Sequence, residues 1–252
     1  MKNTLLIFLL SVVSLFAQER LKLMTFNIYH GETLDGEINT EIFAEIIKRE
    51  NPDVVGLQEV DFYTNRSGNI DIVLELARRT GMVPLFARAM EYGGGEYGVA
   101  ILSRYSIIKS TIHKLKELEG YEPRVALEVI LSVKNDTLSF LITHLDYHQN
   151  DSLRFLQIND LIEIAKNIKY PLFLLGDLND TPESRAIKLI TSVFDMDYPN
   201  LLSFPCPHPE RKIDYILKRT KKWKLVRERV IKSDKASDHC AVSAEFEKII
   251  MK

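Results

Sequence analysis

The chain predicts a mixed-sheet α/β sandwich rather than a barrel, and three observations carry that prediction. Short apolar runs alternate with segments of helical periodicity through the first two thirds of the sequence. The last third is mostly β. No internal repeat or low-complexity linker interrupts residues 21–246, so one domain is expected over residues 18–252. A composition of 46% apolar and 27% charged residues is that of an ordinary globular protein.

Residues 1–17 read as a signal peptide. Lys2 precedes an uncharged apolar run from Leu5 to Phe16. That run is shorter than the roughly 18 to 20 residues a spanning helix needs. Ala17 supplies the small residue of a cleavage site, although Leu15 departs from that pattern. Export to the periplasm or the exterior is the expectation.

The first strand is expected at 21–28. Ile42, Phe43, Ile46 and Ile47 then recur at helical spacing behind a cap at Asn39 or Thr40, and Asn51-Pro52 stops that helix. A strand follows at 53–60 and a helix at 70–79, ended by Gly81 in the left-handed cap glycine favours. Extended segments are expected at 83–89, 98–102, 125–133 and 138–143. Asp151 is placed as the cap of a helix whose stripe is Ile158, Leu161, Ile162 and Ala165. Residues 171–175 form a wholly apolar run, as a buried central strand does. Thr181-Pro182 reads as a helix start. Three strands close the chain at 213–217, 225–230 and 240–246, with the basic cluster 218–224 read as a solvated hairpin tip.

A net charge of −2 gives little long-range attraction to nucleic acid and does not argue for a nuclease. Cys206 and Cys240, the only cysteines, lack metal-ligand spacing. An exported protein tolerates a disulfide, and the sequence leaves open whether these two form one.

The chemistry lies in what ends the apolar runs. Asn27 closes the first strand; Gln58-Glu59 follow Val54-Val55-Gly56-Leu57; His144 and Asp146 follow Phe140-Leu141-Ile142-Thr143. Asp177 and Asn179 follow Phe173-Leu174-Leu175-Gly176, Asp214 opens a strand, and Asp238-His239 precede the last one. Each alone is explained as a turn or cap. Together they would place several carboxylates beside buried strands, which is costly without a cation or hydrogen-bond partners. Oxygen donors such as Glu59, Asp238 and Asn27 suit a hard ion, Mg²⁺ first and Mn²⁺ or Ca²⁺ after it.

These residues resemble the endonuclease/exonuclease/phosphatase (DNase I-like) superfamily, in the form of a small secreted bacterial-type member. Seven tracts match in order: Met24-Thr25-Phe26-Asn27-Ile28, Gly56-Leu57-Gln58-Glu59-Val60-Asp61, Tyr97-Gly98-Val99-Ala100-Ile101-Leu102-Ser103-Arg104, Thr143-His144-Leu145-Asp146, Gly176-Asp177-Leu178-Asn179, Lys212-Ile213-Asp214-Tyr215-Ile216 and Ser237-Asp238-His239. The resemblance implies a four-layer α/β/β/α sandwich of two packed mixed β-sheets and a metal-dependent phosphoester hydrolase. Glu59 would be the principal metal ligand, with Asn27 and Asp238 in or just outside the coordination shell. Asp177 would orient or deprotonate the attacking water. His239, paired with Asp214, would be the second acid/base or phosphate contact, and His144 would stabilise phosphate or assist the leaving group. Asn179 would hold a phosphate oxygen. Arg124 and Arg66 resemble substrate-phosphate contacts, with a surface salt bridge as the competing role for Arg66. His30 would line the cleft or have no role. Val99, where relatives carry Asn, and Cys240-Ala241-Val242 depart from the pattern.

A small or lipid-linked phosphoester is the expected substrate, with membrane lipid as one source of it and no obligate protein partner. A DNase-like nuclease is the rival enzyme, and a catalytically silent binding module on the same scaffold is the rival of another class. A lipid-active form would show an exposed apolar hairpin; residues 198–204 are the candidate, although core packing explains them as well.

Overall fold

The structure, a computed structural model, describes residues 18–198 and 200–249. The signal peptide expected at 1–17 lies outside the described residues. In chain order the elements are β1 (Arg20–Asn27), α1 (Thr40–Glu50), β2 (Val54–Phe62), α2 (Ile72–Thr80), β3 (Val83–Tyr92), β4 (Gly95–Ser103), β5 (Ile107–Lys114) and β6 (Val125–Val133). There follow β7 (Asp136–His144), α3 (Ser152–Asn167), β8 (Leu172–Asp177), α4 (Arg185–Ile190), β9 (Asp214–Arg219), β10 (Trp223–Ile231) and β11 (Ala241–Lys248). One sheet has the order β10-β11-β1-β2-β4-β3 and the other β5-β6-β7-β8-β9. Both are mixed: β1–β2 and β7–β8 pair parallel, their neighbours antiparallel.

The strand faces explain the continuous apolar runs. In β1, Leu21 and Leu23 enter the core between the sheets, while Met24 and Phe26 pack outward among Phe43, Ile47 and Leu76 beneath α1 and α2. In β8, Phe173 and Leu175 face inward, and Leu172 and Leu174 pack outward with Ile158, Leu161 and Ile187 of α3 and α4. A strand buried on both faces needs apolar residues at every position. The result is the expected α/β/β/α order of layers. The sheets approach closely at Gly56: a Cβ there would lie 3.0 Å from Cβ of Leu175 and 3.3 Å from Cγ1 of Ile142.

Local capping follows the sequence in part. Asn39 accepts from the Glu41 N–H at the start of α1, Asp71 accepts from Leu74 N–H at α2, and Gly81 ends α2 at φ +71°. Asp151 precedes α3 but its carboxylate caps nothing, because both oxygens bind Arg185 at 2.7 and 2.8 Å. The helix expected from Thr181-Pro182 begins later, where Ser184 caps Ile187. Strand β5 has no counterpart in the sequence reading. It is an edge strand carrying Lys109, His113 and Lys114, and its mostly exposed side chains leave no apolar alternation to read.

The segment 218–224 is a crossing between the two sheets rather than a hairpin tip, since β9 and β10 do not pair. Lys218 is buried and bonded to Asp195 at 2.7 Å, and Trp223 is core. Cys206 and Cys240 form a disulfide, with Cα atoms 5.0 Å apart. Among the described residues no helix is long and apolar enough to cross a membrane.

Candidate active site

Two parallel pairs deliver polar residues to one rim. Asn27, the last residue of β1, lies opposite Gln58 within β2, and His144 lies opposite Asp177 at the end of β7 and β8. Carboxyl ends of parallel strands are where such sheets bind ligands. β9 runs antiparallel to β8, so its first residue, Asp214, falls opposite Asp177.

Backbone irregularities aim several of these groups. Pairing of β2 with β4 slips between Leu57 and Val60, a bulge that sets Glu59 at φ +53°. Asn179 has φ +52°, and Tyr29 and His30, just past Asn27, have φ +45° and +46°. Left-handed backbone at non-glycine residues costs of order 1 to 3 kcal/mol and concentrates at functional sites. Gly176 is required before Asp177, because a Cβ there would meet the Thr143 carbonyl oxygen at 2.5 Å.

Asp177 is the hub. Its Oδ1 accepts from the Asn179 N–H at 2.9 Å, and its Oδ2 accepts from Asn27 Nδ2 at 3.1 Å. The same Oδ2 is 3.6 Å from Nε2 of His144 and 3.6 Å from Nε2 of His239. Burial, then the charge of Asp214, pushes the Asp177 carboxyl up to about 7. His239 Nδ1 lies 3.0 Å from Asp214 Oδ2, which also accepts from Ser203 Oγ at 2.6 Å. Burial disfavours the His239 imidazolium, but Asp214 and Asp177 together outweigh it and raise its pKa to about 10. His144 behaves oppositely: burial, then Arg124, holds it well below the usual imidazole range.

Asn27 also donates to Glu59 Oε1 at 2.9 Å, while its Oδ1 accepts from Tyr29 N–H at 3.1 Å. Asn27 thus ties Glu59 to Asp177 from just outside the open cleft. Glu59, Asp177, Asn179, Asp238, His144 and His239 all line one cleft of about 330 Å³, with Arg124 and Arg66 on its wall. Asp214 lies behind His239, buried. Arg66 binds the buried Asp61 through two hydrogen bonds, 2.7 and 2.8 Å, and lies 4.4 Å over the Tyr92 ring at the cleft. His30 is outside the cleft, buried with Nε2 3.1 Å from Glu32. Asp146 is also structural, accepting from the His148 N–H and lying 2.7 Å from its ring nitrogen.

Two donor sets could hold a cation. Asp177, Asp214 and His239 offer ligand atoms within 4.8 Å of one another. There, however, the imidazole meets Asp214 with Nδ1 and Asp177 with Nε2, from opposite edges of the ring. A proton satisfies that arrangement. Glu59 and Asp238 instead present carboxylates to the cleft, and an oxygen-only set fits Mg²⁺, which keeps several waters and takes one or two carboxylates.

The sequence reading missed Ser203, Glu122, Tyr97, Phe204 and Arg211. Tyr97 stands inside a tract already singled out, and Glu122 lies two residues before Arg124. Ser203 and Phe204 fall within 198–204, read from the sequence only as an apolar hairpin or core packing, and no local pattern marks Arg211, whose place at the cleft depends on tertiary contacts.

The family described as Endonuclease/Exonuclease/phosphatase matches residues 24–239. The chain belongs to this family. Members of the family are phosphoester hydrolases. Protein cwh43 of Schizosaccharomyces pombe is 30% identical over 128 residues, which is 49% of this chain and 12% of that protein. Nocturnin of Rattus norvegicus is 29% identical over 178 residues, 64% of this chain and 40% of that protein. The chain therefore spans less than half the length of either curated relative. The crystal structure of an endonuclease/exonuclease/phosphatase from Beutenbergia cavernae superposes with a TM-score of 0.76 at 21% identity, covering 92% of this chain and 72% of that one. That likeness establishes the DNase I-like fold of this family member.

Proposed function

We propose that this family member is an exported, divalent-metal-dependent hydrolase of a small or lipid-linked phosphoester, acting by attack of water on phosphorus. The observation that carries the reading is the convergence of Asn27, His144 and His239, from three separated stretches of chain, on one oxygen of Asp177. Structural packing has no use for two imidazoles facing one buried carboxylate at the mouth of a cleft; proton transfer does.

Asp177 orients the water and takes its proton, held still by Asn27 and by the Asn179 N–H. His239, kept charged by Asp214, donates from Nε2 to a phosphoryl or departing oxygen. His144, neutral, donates from its own Nε2, and Asn179 and Arg124 hold phosphate oxygens. Arg66 contributes positive charge further along the wall. Glu59 and Asp238, with Asn27 just outside, would hold Mg²⁺, which would supply Lewis-acid stabilisation of charge on phosphorus-bound oxygens. In-line displacement requires these elements together. The disulfide supports export, because such bridges persist in oxidising compartments.

A cleft of about 330 Å³ suits a small phosphoester better than duplex DNA, whose grip needs a broad basic surface. The test is a parallel assay of residues 18–252 on aryl phosphate, bis-aryl phosphate, inositol phosphates, sphingomyelin and plasmid DNA, with Mg²⁺, Mn²⁺, Ca²⁺ or chelator. Metal-dependent hydrolysis of a small or lipid phosphoester is the expected result. Plasmid nicking alone would make the protein a nuclease, and inertness toward every substrate would make it a binding module.

A further inference from the structure

Three guanidiniums line the cleft, and two already have carboxylate partners. Arg66 is clasped by Asp61, and Arg124 binds Glu122 at 2.7 Å. Arg211 differs: among the described residues its guanidinium has neither a carboxylate partner nor a hydrogen-bond acceptor. It lies 5.0 Å over the ring of Phe204, whose centroid is 4.7 Å from that of His239. Arg211 is therefore an uncompensated cation held near the acid/base group, but against an aromatic ring rather than against Asp177.

The lip that carries it is braced before any ligand arrives. Phe204 and Arg211 exchange backbone hydrogen bonds at 3.0 and 2.8 Å. Cys240 N–H donates to the Ser203 carbonyl at 2.8 Å, Cys206 N–H donates to the Asp238 carbonyl at 2.6 Å, and the Cys206–Cys240 disulfide closes the same junction. A cation on a preorganised lip pays little ordering entropy on binding, which is the condition for using it in recognition.

We propose that Arg211 binds a second anionic group on the organic part of the substrate, so that this cleft selects small phosphoesters bearing a further phosphate or carboxylate. The scissile phosphate is met by the imidazoles and by Arg124 around Asp177; Arg211, standing on Phe204, meets what is attached to it. A planar guanidinium on an aromatic face is suited to either anion. The proposal rests on the reading of the cleft as a phosphoester hydrolase site.

The experiment compares kcat/KM for two probe pairs with Mg²⁺: 4-carboxyphenyl against 4-carbamoylphenyl phosphate, and myo-inositol 1,4-bisphosphate against myo-inositol 1-phosphate. Wild type, Arg211→Gln and, as a charge control, Arg227→Gln on the exposed outer strand β10 are assayed together. In at least one pair the preference for the doubly anionic member should fall about tenfold in Arg211→Gln, mainly through KM, as expected for a lost charge-assisted contact. Arg227→Gln should keep it. A preference confined to the first pair identifies a carboxylate, one confined to the second a phosphate. Equal ratios in wild type and Arg211→Gln for both pairs overturn the proposal while leaving the hydrolase reading intact. If wild type hydrolyses none of the four probes faster than Glu59→Gln, the hydrolase reading fails and this proposal with it.

Discussion

Arg124 donates from Nη1 to Nδ1 of His144 across 3.1 Å, and a guanidinium has no lone pair to accept in return. His144 must therefore carry its single proton on Nε2, the atom that faces Asp177. Its low pKa has the same origin, since burial and the neighbouring Arg124 charge both oppose a second proton. This makes His144 a neutral hydrogen-bond donor and Arg124 the group that sets its tautomer.

Replacing Arg124 with Met should release that tautomer and lower kcat/KM by about 10²-fold, the typical loss of one preorganised donor. Imidazole nitrogen NMR of the metal-free protein reads the cause directly. Wild type should show His144 protonated at Nε2 alone, and Arg124→Met a tautomer mixture; an Nδ1-protonated ring in wild type would contradict the assignment.

The Asp214–His239 pair has a pH signature. In the metal-free protein His239 should stay charged until about pH 10, and Asp177 should stay protonated until about pH 7. For His239 the raised value means stability fully present below about 6.5 and lost as pH climbs through about 10. For Asp177 the raised value also means that the folded state favours the proton. Its contribution is greatest below the ordinary carboxylate range near 4 and falls as pH rises through about 7. Asp214→Asn removes a carboxylate from both, so both titrations should move to lower pH. An NMR titration in which His239 keeps its midpoint in Asp214→Asn would break the proposed pairing.

Metal binding and turnover should separate by residue. At a Mg²⁺ concentration 100 times its dissociation constant, linkage stabilises a protein by about 2.7 kcal/mol. Glu59→Gln should lose that gain in thermal unfolding. Asp177→Asn and His239→Ala should retain most of it while losing turnover. Equal Mg²⁺ stabilisation of wild type and Glu59→Gln would remove Glu59 from the metal site.

The disulfide closes a separation of 34 residues. By loop entropy its removal costs about 3 to 4 kcal/mol. The Cys206→Ser/Cys240→Ser variant should unfold at correspondingly lower denaturant and show a raised KM, because the bridge holds the lip bearing Phe204 against the Asp238-His239 turn. A large stability loss with unchanged KM would limit the bridge to a stabilising role.

Gly56→Ala tests the contact between the sheets. Its new methyl would crowd Leu175 and Ile142, and overpacking of a filled core typically costs about 1 to 3 kcal/mol. Denaturant unfolding should show that loss; a neutral variant would mean the sheets yield easily at this point.

Most strands and the ends that matter were legible in the sequence because burial on both faces leaves long apolar runs, and any polar residue ending one stands out. Asn27, Glu59, His144, Asp177 and Asp214 were found this way, and all converge. Elements without a buried face were not legible: β5 is exposed along most of its length, and the start of α4 is set by Ser184 rather than by Pro182. The segment 218–224 was read as a tip because its lysines look solvated, yet Lys218 is buried against Asp195.

The residue types and the order of the strand ends are properties of the chain alone, since apolar periodicity and local turn chemistry act over a few neighbours. The sharing of one Asp177 oxygen by His144 and His239, the proton state of each ring, the joining of Cys206 to Cys240 and the placing of Arg211 beside the cleft belong to the folded molecule. Each depends on a distance between segments far apart in sequence. Electrostatics and hydrogen bonding act through those distances, and only the packing of one sheet on the other determines them.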